Sequence, residues 1–208
     1  MDLIDLFREK YHEKLAEENL SYFNKYQLPN YSTEKIMPVG DLNSEIIIVR
    51  DVAPYLTDKA HNESQEDTLN NLIKVLEGYG IRHYYILPSS PFLPMADFGK
   101  KLEFRPPNLR EQATSRNLLW KCIENTNIKH ILLYGNVSTN LFTESNVLDE
   151  HGKSFNFFNR FFFPVYSLDY IKDLKGRKIN TDYQQEEFKA DIKNFVQSFF
   201  GYQELEKY

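Results

Sequence analysis

The sequence predicts an α/β protein: a three-layer α/β/α sandwich with a central four-stranded, mainly parallel sheet. Two observations lead to this prediction. Four short apolar runs have the length and composition of buried strands, and amphipathic segments with helical spacing lie between them. Strands that alternate with helices in this way are typical of parallel sheets covered on both faces.

Each predicted strand is a short apolar run bounded by turn-forming or polar residues. The first is β-branched along its whole length, which is typical of a strand covered on both faces. Pro88 ends the second strand, and Gly135 ends the third. The four strands are predicted at Ile46–Val49, His83–Leu87, His130–Tyr134 and Phe161–Tyr166.

The predicted helices begin with an N-terminal helix over residues 1–28, where apolar residues recur at helical spacing. A second helix follows the first strand and ends at Gly78. The stretch from Pro91 to Pro107 is predicted to be a long loop, because it contains four prolines. Three further helices are predicted around Leu118–Ile123, over Thr139–Phe142 and over residues 183–200.

Length and composition indicate one domain over residues 1–208. The chain is 41% apolar and 26% charged, which is sufficient for one sizeable core. No run approaches the roughly 20 apolar residues of a membrane helix, and no basic region precedes an apolar N-terminal stretch. A single cysteine excludes an internal disulfide framework. We therefore expect a cytoplasmic protein without a membrane partner.

The sequence predicts no metal and no cofactor. The five histidines show no i,i+4 pair and no neighbouring carboxylate at metal-ligand spacing. Cys122 lies beside Leu118 and Leu119, which indicates a buried thiol rather than a nucleophile. No phosphate-binding glycine loop is present.

The charge distribution is uneven, although the net charge of −5 argues against a protein that coats nucleic acid. Basic residues concentrate in segments 95–116 and 153–178, which follow or flank predicted strand ends. Such a basic rim is what phosphate contacts require, and Lys172 and Arg177 are candidates for them. Solvated lysines on ordinary loops would produce the same pattern.

Four segments, in order, resemble the uracil-DNA glycosylase superfamily, and most closely its bacterial iron–sulfur branch. They are Ile46–Pro54 (IIIVRDVAP), Leu72–Pro94, Ile131–Leu141 (ILLYGNVSTNL) and Gly152–Ile171. The resemblance implies an α/β/α sandwich around a four-stranded parallel sheet. It also implies contact with DNA, since these enzymes flip a base out of the stack before excising it.

Residue by residue, the chain departs from the chemistry of that family. The acid of the first motif falls on Asp51, but the glycine before it becomes Arg50. The asparagine that reads uracil falls on Pro88, which has no side-chain donor. The motif histidine falls on Ser167, and the cysteines that bind the cluster are absent.

These departures favour a uracil-DNA-glycosylase-like pseudoenzyme that binds DNA, or a DNA replication or repair protein, without efficient base excision. Such a degenerate relative would fit a phage or a staphylococcal mobile genetic element. Tyr55 is a candidate for stacking on a base.

Two alternatives remain open. The chain is an active DNA glycosylase with altered base specificity if Asp51 positions water. In that case the base is read by the polar residues Ser89, Ser90, Asn136 and Ser167. The chain is a protein-interaction module if its pocket is closed. Asp51 also has a purely structural interpretation, as a strand-end carboxylate that accepts hydrogen bonds from nearby amides.

Overall fold

The computed structural model describes residues 5, 38–40, 43–51, 59–90, 95–97, 102–104 and 108–205. The helix predicted over residues 1–28, apart from Asp5, lies outside these residues, as does Tyr55. The described strands are β1 (Ile46–Arg50), β2 (Tyr84–Pro88), β3 (Met95–Asp97), β4 (Leu102–Phe104), β5 (His130–Tyr134), β6 (Phe155–Phe157) and β7 (Arg160–Val165). The described helices are α1 (Lys59–Gly78), α2 (Leu109–Glu124), α3 (Asn136–Thr143), α4 (Val147–Glu150), α5 (Leu168–Gly176) and α6 (Asp182–Leu205).

The protein has a mixed α/β fold around a five-stranded, mostly parallel sheet. The strand order is β2-β1-β5-β7-β6, and β1 pairs in parallel with both β2 and β5. In this register Ile48 lies between Ile86 and Leu132. The four predicted strands correspond to β1, β2, β5 and β7, so the sequence pattern located the parallel part of the sheet.

The prediction of four strands is wrong by one, because β6 pairs antiparallel with β7 at the edge of the sheet. The two strands are joined through Phe158 and Asn159, whose φ angles are 48° and 60°. Positive φ at both central positions is the conformation of a tight hairpin turn. Strand β6 has only three residues and belongs to the same aromatic run as β7, so the sequence did not separate the two strands.

Alternating side chains of the strands build two separate hydrophobic clusters. Ile46 and Ile48 face one side of the sheet, together with the apolar residues of α1, α5 and α6. Ile47 and Val49 face the other side, together with those of α2 and α3. Helices therefore cover both faces of the sheet, which gives the three layers that the sequence predicts.

Other elements lie where the sequence predicts neither a strand nor a helix. Strands β3 and β4 form an antiparallel hairpin within the stretch predicted as a long loop. Helix α5 follows β7 directly and buries Ile171 against the sheet. None of the helices within the described ranges is both long and apolar enough to cross a bilayer.

Candidate functional site

The carboxyl ends of β1 and β5 are where the topology of this sheet would place a ligand. The chain passes from β1 to β2 on one side and later to β5 on the other, so the strand order reverses at β1. In open α/β sheets, ligands bind outside the carboxyl ends of the strands at such a switch point. Asp51 follows β1 at this position, and Gly135 and Asn136 follow β5.

The Asp51 carboxylate is bound to the first turn of α3. Its Oδ2 accepts a hydrogen bond of 2.9 Å from the Val137 amide, and its Oδ1 accepts one of 2.6 Å from the Ser138 amide. Amides in the first turn of a helix have no partner within the helix, and a carboxylate there also interacts favourably with the helix dipole. Asp51 therefore caps α3 from a different strand.

Gly135 makes this arrangement possible. It occupies the N-cap position of α3 with a φ of 113°, and no side chain of its own caps the helix. A Cβ atom at residue 135 would lie 2.5 Å from Cγ of Asp51. Glycine therefore satisfies two requirements here, the positive φ and the space for the carboxylate.

The environment of Asp51 has opposing effects on its ionisation. Burial raises its pKa from 3.8 to about 6, while the hydrogen bonds from Ser138 and Val137 act in the opposite direction. The carboxylate therefore ionises within the range in which a general base would operate. Both of its oxygens nevertheless already accept hydrogen bonds from the protein.

The first turn of α5, at the end of β7, is also capped by the protein itself. The Leu168 amide donates to the Tyr134 hydroxyl at 2.8 Å, and the Tyr170 amide donates to Oγ of Ser167 at 3.2 Å. Asp169 in the same turn accepts a hydrogen bond of 2.6 Å from the Thr68 hydroxyl. Burial raises the pKa of Asp169, and Arg50 and Lys172 lower it by a smaller amount.

The residues predicted to read a base are buried or already engaged. Ser89 and Ser90 follow β2 and are buried, as is Ser167. Asn136 is exposed, but its side-chain oxygen accepts a hydrogen bond of 3.0 Å from the Val147 amide at the start of α4. The structure thus brings Asp51, Asn136 and Ser167 to the same edge of the sheet, where each stabilises a helix N-terminus.

The basic residues predicted to form a rim have different roles. The Arg160 guanidinium donates to the carbonyls of Ile123, Glu124 and Thr126 at the end of α2, at 2.9 to 3.3 Å. Lys153 donates to the Asp149 carbonyl. Arg160 therefore has a structural role, whereas the side chain of Lys153 is 65% exposed.

The remaining basic residues of this segment lie on or just after α5. Arg177 forms an ion pair of 2.8 Å with Asp173. Four basic residues are exposed here and constitute what we term the α5 basic surface: Lys172, Lys175, Arg177 and Lys178.

A separate cavity of about 360 Å³ lies between α2 and α3. Leu109, Gln112 and Leu141 line it, and the ion pair of 3.1 Å between Arg116 and Glu144 lies beside them. Leu109 is 84% exposed, so the cavity opens to solvent. It contains none of the predicted site residues.

A polar cluster that the sequence does not predict lies between α4 and α6. Nδ1 of His151 lies 3.1 Å from Oδ2 of Asp191 and 3.9 Å from Oε2 of Glu187. Glu187 and Asp191 are four residues apart on α6, which is a spacing visible in the sequence. His151 is remote from them along the chain, and only the packing of α6 brings it close.

No protein-family model matches this chain, and no curated protein is significantly similar to it.

Proposed function

We propose that this chain is a DNA-binding protein of the uracil-DNA glycosylase type that does not excise bases. One observation carries the proposal: the polar groups at the carboxyl ends of the strands already bind the protein itself. Asp51 caps α3, Ser167 caps α5, and Asn136 binds the start of α4. Base excision needs such groups to be directed at the base and at water.

Electrostatics supports DNA as the ligand. The net charge is −5, so attraction to phosphate must come from a local surface. The α5 basic surface meets this need, and α5 begins at the same edge of the sheet as the switch point. Lys172 and Lys175 are three residues apart on the helix and therefore neighbours on its surface.

The salt dependence of DNA binding tests this proposal. We expect a labelled single-stranded oligonucleotide to bind more weakly as the salt concentration increases. The logarithm of the association constant should fall linearly with the logarithm of the salt concentration, and the number of phosphate contacts sets the slope of this line. The variant with Lys172→Gln and Lys175→Gln should bind more weakly. Its slope should fall by about 1 for each phosphate that the variant no longer neutralises. Fluorescence anisotropy at several salt concentrations measures both quantities.

A variant with Lys189→Gln and Lys193→Gln on α6 is the matched control. It removes the same kind of charge from another exposed surface, where Lys189 pairs with Glu186 at 2.7 Å. Its slope should equal that of the wild type. Absence of binding at low salt, or equal weakening in both variants, would contradict the DNA-binding proposal and favour a module that binds another protein.

The second candidate function is a DNA glycosylase with altered base specificity. The raised pKa of Asp51, about 6, favours it, because a general base works best when its pKa is near the operating pH. This candidate predicts the release of uracil or a modified base, and the loss of that release in Asp51→Asn.

A further inference from the structure

His151, Glu187 and Asp191 present three metal-binding atoms to one point. His151 follows α4, and the two carboxylates lie one turn apart on α6. One ligand atom from each residue lies within 4.8 Å of the other two. These residues are separate from the switch point, so a ligand bound by them would be independent of the proposed function.

The cluster is held in place by its surroundings. The Asp191 side chain is only 3% exposed. A Cβ atom at Gly152, whose φ is 73°, would lie 2.8 Å from Oδ1 of Asp191, so the chain passes close to this carboxylate. The His151 ring packs on Tyr166 with their centres 4.4 Å apart, which fixes its orientation.

Among the residues that the structure describes, His151 is the one ion-pair partner of the two carboxylates. Two carboxylates and one imidazole carry a net negative charge whether or not the imidazole is charged. A divalent cation with a neutral imidazole and two carboxylates would balance the charge completely.

The distances also suit a metal ion. Around a tetrahedral zinc with bonds of roughly 2.0–2.2 Å, ligand atoms lie about 3.4 Å apart. The observed separations from His151 are 3.1 Å to Asp191 and 3.9 Å to Glu187. The third separation, between the two carboxylates, is within 4.8 Å. The ion would replace the hydrogen bond between His151 and Asp191, and Glu187, whose side chain is 35% exposed, has room to rotate towards it.

We propose that His151, Glu187 and Asp191 bind one divalent transition-metal ion, best matched by zinc, which fastens α6 to the connection between α4 and β6. One nitrogen and two oxygen ligands suit zinc better than magnesium, which prefers oxygen ligands alone. Water from the exposed side of Glu187 completes the coordination. The ion thus links α6 to the segment that leads from α4 into strand β6.

Calorimetric titration of the chelator-treated, full-length protein with zinc chloride tests the proposal. We expect one site per chain, and weaker binding by roughly tenfold or more in both His151→Gln and Glu187→Gln. Glu186→Gln is the matched control, because Glu186 is the adjacent carboxylate on the same helix and pairs with Lys189. It should bind zinc as the wild type does, and magnesium should bind to none of the four proteins.

Cobalt provides a second measurement, since its visible absorption reports coordination by protein ligands. The cobalt-loaded wild type and Glu186→Gln should show the same bands, and Glu187→Gln should lose them while its far-ultraviolet circular dichroism is unchanged. The proposal is overturned if the wild type does not bind zinc saturably at micromolar concentrations. It is equally overturned if His151→Gln and Glu187→Gln bind zinc as tightly as the wild type.

Discussion

Gly135 and Asp51 depend on each other at the junction between β5 and α3. The carboxylate occupies the space in which any side chain at residue 135 would lie. It also supplies the acceptors that an N-cap side chain normally provides, and which glycine lacks. The identity of both residues is therefore explained by the stability of the fold.

Substitution of Gly135 by alanine tests this dependence. We expect Gly135→Ala to lower the free energy of unfolding by roughly 2 kcal/mol or more, through backbone strain at a φ of 113° and overlap with the carboxylate. Urea denaturation measures the change. Gly78→Ala is the control, because nothing lies within 4 Å of a Cβ atom there and the residue is helical. That variant should be neutral or slightly more stable.

The pH dependence of stability tests the environment of Asp51. Its pKa is raised from 3.8 to about 6 in the folded protein, so the folded state binds more protons than the unfolded state between these values. The contribution of Asp51 to stability should therefore fall as pH rises from about 4 to about 6. Above pH 6, the contribution of Asp51 to the free energy of unfolding should be about 3 kcal/mol lower than it is below pH 4.

Urea denaturation of the wild type and Asp51→Asn at pH 4, 5, 6 and 7 measures this contribution. The stability of the wild type relative to Asp51→Asn should decrease across the series, because only the wild type ionises at this position. Asp67→Asn, at an exposed position on α1, is the control. If the difference between wild type and Asp51→Asn does not change with pH, the carboxylate is not buried as described.

The sequence predicts where Asp51 lies but not what it binds. The run Ile46–Val49 predicts a strand, and Asp51 follows it at the carboxyl end. The amides of Val137 and Ser138 are far away along the chain, and they meet Asp51 only because β5 pairs with β1. A hydrogen bond of this kind depends on strand order, which local patterns do not specify.

At the scale of elements, Arg160 connects the β6–β7 hairpin to the end of α2. Its guanidinium binds three carbonyls there and lies 5.7 Å from the centre of the Trp120 ring. Carbonyls at the end of a helix lack partners within the helix, so this single side chain caps α2. A planar guanidinium can reach several acceptors at once, whereas an ammonium group cannot do so in the same geometry.

We expect Arg160→Lys to lower the free energy of unfolding by about 1–2 kcal/mol. Amide hydrogen exchange should accelerate most over residues 120–126, because the end of α2 loses its cap. Arg177→Lys is the control, since Arg177 forms an exposed ion pair with Asp173, and it should change stability by less than about 0.5 kcal/mol. Equal effects of the two substitutions would contradict the capping role of Arg160.

The elements that the sequence does not predict are short. Leu168, Ile171 and Leu174 recur three residues apart in α5, but this helix has only nine residues, so the pattern spans too few turns to stand out. Strand β6 has three residues and lies in the same aromatic run as β7. By contrast, α6 is readily predicted, because Phe188, Ile192, Phe195 and Phe199 are all buried on one face.

At the scale of the whole molecule, a sheet with a ligand-binding topology is combined with strand ends that bind the protein itself. The protein supplies acceptors to three described helix N-termini at this edge: from Asp51 at α3, from Asn136 at α4, and from Ser167 and Tyr134 at α5. The strand order indicates where a ligand would bind. We propose that base excision is absent because the polar groups at that position bind the protein itself.

A single-turnover assay of base release measures whether this protein excises bases. The wild-type protein is incubated in excess with single- and double-stranded oligonucleotides that each contain one uracil or one modified base, and alkali then cleaves any abasic site. We expect no cleavage, although the same oligonucleotides should bind in a salt-dependent manner. Base-dependent cleavage by the wild type that disappears in Asp51→Asn would contradict this expectation and identify Asp51 as a catalytic residue.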